Sequence, residues 1–345
     1  MNPNMAFYAV NTKIVTKKGR ILNGRDWKNF LECDSVEELA NYLKSNIEIG
    51  KAFEGQTIDE NLRVNLETVI SRLRKIEIEN LLYYFSGDYK EFFRTFLLEE
   101  EIKDLSLIIR KLTREEPLEE IKDKFIHSKL YTTLDFDDLL TVKNLDQFIK
   151  KLKGTIYYNS LRNLTKNDAL RREFHIEMKL YVTLYKLLFE TAEKLDKEDQ
   201  KASKDIIGLK IDLLNIQWIY RALKYYKISP EEMFIYSLEG GKNIDYKKLK
   251  NLCYSKSIDE FIKLVNIYLE YDLFKDLNDT EIDINVVIDS YMFNFLKSKN
   301  YKNIGTAISF IFLLDTVIND LTSITEGIQY KVPKEKLKGY LAYKI

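Results

Sequence analysis

The chain has 345 residues, with 54 basic and 54 acidic side chains and a formal net charge of zero. That balance leaves no global field to draw in nucleic acid or an anionic membrane, and 45% hydrophobic against 31% charged residues is the make-up of a packed protein rather than a disordered one. Twelve glycines and four prolines are too few for the tight turns of an all-β protein, so an all-α fold is expected.

In chain order, the first feature is a basic stretch: Lys13, Lys17, Lys18, Arg20, Arg25 and Lys28 against Asp26. It reads either as a solvated helix face or as a strip facing an acidic partner or lipid head groups, with Lys13 and Arg20 as candidate contacts. No basic segment is followed by an apolar run, so nothing there resembles a signal peptide. A short amphipathic segment with Trp27, Phe30 and Leu31 leads to Ser35-Val36-Glu37-Glu38-Leu39. This is a capping box, in which the cap side chain and the acid three residues on satisfy N–H groups at a helix start. Leu66, Ile70, Leu73, Glu77 and Leu81 then share one helical stripe, broken only by Glu77. Glu101, Asp104 and Arg110 lie on the next helix, before Pro117-Leu118-Glu119-Glu120-Ile121. Proline followed by Glu suits a first helical turn.

The same order then recurs. Phe136, Leu139 and Leu140 precede the second box, Asn144-Leu145-Asp146-Gln147-Phe148. Asp168 to Glu173 is balanced in charge and reads as a run pairing with itself along a helix. Ile176 to Leu195 is apolar on much of its circumference, as a helix buried between others would be. Asp212, Asn215 and Arg221 precede Pro230-Glu231-Glu232-Met233-Phe234, and Gly240-Gly241 reads as the end of the helix opened there. Leu249 and Leu252 lead to the third box, Ser257-Ile258-Asp259-Glu260-Phe261. The longest apolar stretch, Ala307 to Leu314, falls short of the roughly twenty residues of a membrane span. Asp320 precedes Pro333-Lys334-Glu335-Lys336-Leu337, with Val317 where an acid is expected.

Three matched pairs about 110 residues apart imply a three-fold internal repeat, with modules at 1–125, 126–236 and 237–345. Counting back from the prolines by 13, 15 and 13 residues aligns Asp104, Asn215 and Asp320. The Asp104/Arg110 and Asn215/Arg221 pairs, with Asp212, are then either buried, mutually hydrogen-bonded groups or the lining of a surface where modules converge on a partner.

Chemistry is sparse. Cys33 and Cys253 are too few for a disulfide scaffold or a zinc site. His127 and His175 lack the Glu three residues before them that a di-iron bundle uses, and Glu173 and Glu177 share a helix face from which His175 points away. Phosphate-loop, dinucleotide and nucleophile-elbow patterns are missing. No cofactor, metal or catalytic residue is therefore expected. Tyr83-Tyr84-Phe85, Tyr157-Tyr158 and Tyr225-Tyr226 are candidate interface anchors or ordinary core.

A three-module, all-helical chain of this kind resembles the C subunits of the V/A-type rotary ATPases and ATP synthases, counterparts of the d subunit of the eukaryotic V-type enzymes. The likeness rests on Phe7-Tyr8-Ala9-Val10-Asn11-Thr12-Lys13 continuing to Gly19-Arg20-Ile21-Leu22, the Asp212 to Ala222 helix, Glu239-Gly240-Gly241-Lys242, and the frame from Gly305 to Leu341. Asn11 and Lys13 stand where that family places its basic residues, with part of the basic character kept. The resemblance implies a funnel of three pseudo-symmetric modules. It implies a non-catalytic socket that receives the shaft subunits D and F, caps the proteolipid ring and passes torque for proton or sodium transport. It also allows a contact with the membrane stator, and it puts the chain at the cytoplasmic face of the membrane without a span of its own. A helical-repeat scaffold for unrelated proteins is the alternative.

Overall fold

The computed structural model describes residues 3–55, 62–166, 173–226, 228–275 and 283–343, with backbone alone at 3–6 and 173–175. The expected run from Asp168 to Arg172 lies outside these residues, as does the ring of His175. Among the described residues every regular element is a helix, so the fold is all-α. The first part holds α1 (Pro3–Ile21), α2 (Gly24–Glu32), α3 (Val36–Ser45), a 3₁₀ turn at Ile49–Phe53, α4 (Leu62–Leu82), α5 (Gly87–Thr95) and α6 (Leu98–Thr113). A 3₁₀ segment at Glu119–Lys124 leads to α7 (Phe136–Leu139), α8 (Leu145–Lys151), α9 (Tyr158–Leu161), α10 (Glu173–Ala192), α11 (Lys197–Tyr225) and α12 (Pro230–Ile235). The chain closes with α13 (Tyr246–Cys253), α14 (Ile258–Leu269), α15 (Ile284–Ser298), α16 (Gly305–Gln329) and α17 (Lys334–Gly339).

All three capping boxes form with both reciprocal bonds. Ser35 accepts from the Glu38 N–H at 3.1 Å while Glu38 Oε2 accepts from the Asp34 N–H at 3.0 Å. Asn144 accepts from Gln147 N at 3.0 Å and Gln147 Oε1 from Lys143 N at 2.9 Å. Ser257 accepts from Glu260 N at 3.1 Å and Glu260 Oε2 from Lys256 N at 2.8 Å. The short helices before the boxes are themselves capped, by Asn23, Asp135 and Asp245. The proline starts vary more. Pro230 opens α12, Pro333 directly precedes α17, and Pro117 leads only into the 3₁₀ segment. Two residues before Pro117 and Pro333, Glu115 and Lys331 take φ values of 57° and 54°. The next N–H bonds back to Lys111 O (2.9 Å) and Gly327 O (2.8 Å), closing α6 and α16 with the same left-handed cap.

The chain forms two compact units. One comprises residues 1–77, 196–235 and 239–345; the other, 78–195 with 236–238. These units cut across the expected modules, dividing the first of them after residue 77. In the first unit α16 packs against α1, α3, α11 and α15, and α11 against α13, α14 and α15. Long central helices covered on most sides explain the continuous apolar runs. α16 is the one described helix long and apolar enough to cross a membrane, but 72% of its most apolar window is buried in the protein. In the second unit α10 lies against α5, α6 and α9. Phe85, Phe92, Phe93 and Phe96 pack there, Phe93 stacked on Phe85 and Phe96 and Phe92 edge-on to Phe93 and Phe96, at centroid distances of 4.4–6.1 Å.

The stripe on α4 is buried throughout, including Glu77, which is fully covered. Glu77 is paired with Lys17 of α1, itself 6% exposed. Glu48, also buried, pairs with Lys51 and accepts from Arg20 at 3.0 Å. Each carboxylate taken out of water is thus compensated by cations, as burial of charge requires. The expected basic strip is accordingly not one exposed surface: Lys17 turns inward while Lys13 faces solvent.

Candidate partner-binding site

The most regular polar feature is a set of three buried aspartates, each holding two successive backbone N–H groups. Asp104 on α6 accepts from Ile126 N at 3.0 Å and His127 N at 2.8 Å. Asp212 on α11 accepts from Asn243 N at 2.7 Å and Ile244 N at 3.2 Å. Asp320 on α16 accepts from Ala342 N and Tyr343 N, both at 2.8 Å. The aspartates are spaced 108 residues apart and are 0–3% exposed. Each ties the strap that follows its helix back onto that helix. Burial pushes the Asp212 carboxyl up to about 6, against the pull of the two amides, which favour its charged form.

This geometry corrects the register read from the prolines. Asp212, not Asn215, is the counterpart of Asp104 and Asp320. Asn215 is a separate buried residue, 1% exposed, and Arg221 does not share the frame of Arg110. The strap over α11 is nine residues longer than the other two, reaching Asp212 from 31 residues on rather than 22. Gly240-Gly241 belongs to that strap rather than to the end of α12, which stops at Ile235. Gly240 has φ 93°, and a Cβ on Gly241 would sit 2.1 Å from Asp212 Oδ1. Only glycine lets the strap close on the carboxylate.

The straps carry the aromatic contacts that follow. The His127 ring, with Nδ1 2.8 Å from Asp104 Oδ2, stacks on Phe136 of α7 at 3.8 Å. Tyr343 meets Trp27 of α2 edge-on at 5.0 Å and donates to Leu22 O at 3.0 Å.

The remaining sequence candidates scatter. Lys13 and Arg20 are exposed on α1, and Arg110 is half-buried in the last turn of α6. Arg221 donates to Asn285 Oδ1 at 2.8 Å, where Gln217 also donates. Of the aromatic runs, Tyr83, Tyr225 and Tyr226 are exposed, whereas Tyr157 is core and donates to the buried Glu101 at 2.7 Å. Burial raises both of those groups above their ordinary range. No cluster of three or more His, Cys, Asp or Glu is placed to hold a metal among the described residues. Both cysteines are buried and unbridged.

Sequence reasoning missed a cleft of about 580 Å³ in the first unit. Lys210 and Gln217 of α11, Asp283, Asn285 and Asp289 of the α15 region, and Asn319, Asp320 and Glu326 of α16 line it. Its acids come from segments far apart in the chain, so no local spacing announced it.

The profile of the ATP synthase (C/AC39) subunit family matches residues 10–340. The C subunit of the A-type ATP synthase of Archaeoglobus fulgidus is 24% identical, over 96% of this chain and 94% of its own. That of Methanosphaera stadtmanae is 24% identical over 98% and 89%, and that of Methanobrevibacter smithii 23% over 92% and 83%. With the profile running almost from end to end, this chain belongs to the ATP synthase (C/AC39) subunit family.

Proposed function

We propose that the chain is a non-catalytic coupling component of an A-type ATP synthase. It links the rotating shaft, made of the D and F subunits, to the proteolipid ring, so that torque and ion transport are exchanged through it. The observation that carries this reading is the family match over residues 10–340, with relatives that are C subunits of A-type ATP synthases aligning over nearly their whole length. It works at the cytoplasmic face of the membrane, held there by its partners, and a contact with the membrane stator is compatible with that position.

The architecture suits the task physically. A coupling must carry load without yielding, and helices of 29 and 25 residues with almost continuous buried faces provide stiff members. We read the recurring clamps as the frame of three modules, at about 1–125, 126–236 and 237–345. Asp104, Asp212 and Asp320 then belong to that frame, and Asn215 is buried one turn along α11 from its clamp. Lys13, Arg20, Arg110 and Arg221, together with exposed Tyr83, Tyr225 and Tyr226, are the positions offered to partners. Tyrosine suits surfaces that alternate between wet and buried.

The test is a gentle-detergent pull-down of the tagged chain from its own membranes, read by mass spectrometry. Recovery of proteolipid, shaft and head subunits together is expected. An intact ATPase purified from the same membranes without this chain would refute the reading.

A further inference from the structure

We infer that the cleft between α11, α15 and α16 receives two basic side chains carried on one helical segment of a protein partner. This rests on the coupling reading above, under which that partner is the shaft.

Four carboxylates and one lysine line the cavity. Asp320 is occupied by its two backbone amides, and Glu326 has Arg63 at 3.7 Å. Asp283 and Asp289 remain, and no described cation lies within ion-pair distance of either. Lys210, which also lines the cleft, holds its ammonium over the Phe312 ring, 5.9 Å from the centroid. Amides rather than cations fix the two acids. Asp283 accepts from Asn285 N at 3.2 Å and Nδ2 at 2.8 Å, and Asp289 accepts from Asn319 Nδ2 at 2.8 Å. Burial holds Asp289 above the ordinary carboxylate range against the more distant pull of Lys210, and the nearby Asp283 adds to the rise. Two oriented carboxylates in a cavity this chain does not fill attract a cation from outside.

Spacing decides which cation. Asp283 caps α15 and Asp289 lies six residues on, about 9 Å along the axis at 1.5 Å per residue. No group of three or more His, Cys, Asp or Glu among the described residues is placed to hold a metal ion, so the cleft lacks the ligand set of a metal site. Lysine or arginine side chains two helical turns apart, about 10–11 Å, match it. A cavity of about 580 Å³ has room for such a pair. Arginine is the better fit, since its planar fork reads carboxylate geometry in two-point fashion.

The experiment measures binding of the purified full chain to a co-expressed D–F pair, by interferometry, at about 50 and 300 mM salt. Asp283→Asn/Asp289→Asn is compared with wild type and with Asp259→Asn/Glu239→Gln, which removes the same charge at exposed sites. Asparagine keeps the shape and an acceptor for the amide donors, so the fold is retained, as thermal melting will show. The cleft variant is expected to bind about tenfold more weakly per carboxylate removed, with a shallower salt dependence. The control is expected to stay within about twofold of wild type. A cleft variant that binds like the control, while wild type binds the shaft, overturns this inference alone. Wild type that fails to bind the shaft at either salt concentration overturns the coupling reading and this inference with it.

Discussion

Replacing Asp320 by alanine isolates what one clamp contributes. The carboxylate is 3% exposed and accepts two backbone N–H groups at 2.8 Å, the first of them on buried Ala342. Hydrogen bonds to a charged group contribute about 1.5–3 kcal/mol each, and the alanine variant leaves a buried donor unpaired, so the loss is about 3–5 kcal/mol. Unfolding entropy near 2.1 cal/mol/K per residue gives about 0.7 kcal/mol/K for 345 residues. Each kcal/mol then moves the midpoint by about 1.4 °C, and Asp320→Ala is expected to melt about 4–7 °C below wild type. The local signature is sharper. Hydrogen exchange should show the amides of Ala342 and Tyr343 losing protection, and Trp27 fluorescence should change as Tyr343 leaves its edge. Asp320→Asn, which keeps one acceptor, should fall between. A melt within about 1 °C of wild type, with exchange at both amides unchanged, refutes the clamp.

Four further outcomes follow from the structure. Asp212 binds its proton more tightly folded than unfolded, about 6 against about 3.9, so its contribution to stability is fully present below pH about 4 and lost as pH rises through about 6. The size is about 3 kcal/mol, and subtracting the Asp212→Asn curve from wild-type denaturant unfolding across that range should reveal it. Gly241→Ala forces a methyl to 2.1 Å from Asp212 Oδ1 and 2.6 Å from Ile244 O, and is expected to cost about 2–4 kcal/mol. Gly19→Ala, within α1 and with nothing within 4 Å of its Cβ, should instead stabilise by up to about 1 kcal/mol in the same assay. Glu77→Ala leaves buried Lys17 with only Glu48, at 4.0 Å, and should cost about 3 kcal/mol; pairing Glu77→Leu with Lys17→Met should restore most of it.

The features legible in the sequence are those whose partners lie within one turn. Ser35, Asn144 and Ser257 each find their capping partner three residues on, and the apolar members of the α4 stripe read directly as a buried face, whereas Glu77, which breaks the stripe in sequence, is buried with them through its pairing with Lys17. The clamps were half visible. Asp104 and Asp320 sit 13 residues before their prolines, but Asp212 sits 18 before Pro230, and counting back from the proline lands on Asn215. Proline marks where a strap begins; the aspartate marks where it is tied, and an insertion between the two separates the readings. Measuring from aspartate to aspartate keeps a constant 108 residues. The Asp283–Asp289 cleft was not legible because α11, α15 and α16 meet only in the tertiary fold. Tyr157 shows the same limit: beside Tyr158 it reads equally as an interface anchor or as core, and Glu101, 56 residues earlier, decides for core.

The clamps also explain why the frame outlasts the chemistry around it. The position three residues before the clamp is Glu101 on α6, bonded to Tyr157, and Val317 on α16, packed in apolar core. Either is tolerated, because a buried site asks only that its polar groups be satisfied or absent. The clamp position has no such freedom, since two adjacent N–H groups from a passing strap need a short side chain with two acceptors. Aspartate alone supplies both at that reach. His127 then sits on Phe136 of α7, the short helix its strap leads into, and Tyr343 sits on Trp27 of α2 from the other end of the chain. Apolar contact alone allows two helices to slide, whereas directional bonds to a buried carboxylate hold one register. On the coupling reading this is where stiffness is required. With the three modules proposed above, a shaft turning against a loaded ring would stress the connections between modules before the helices within them, and the clamps at Asp104 and Asp212 tie those two connections.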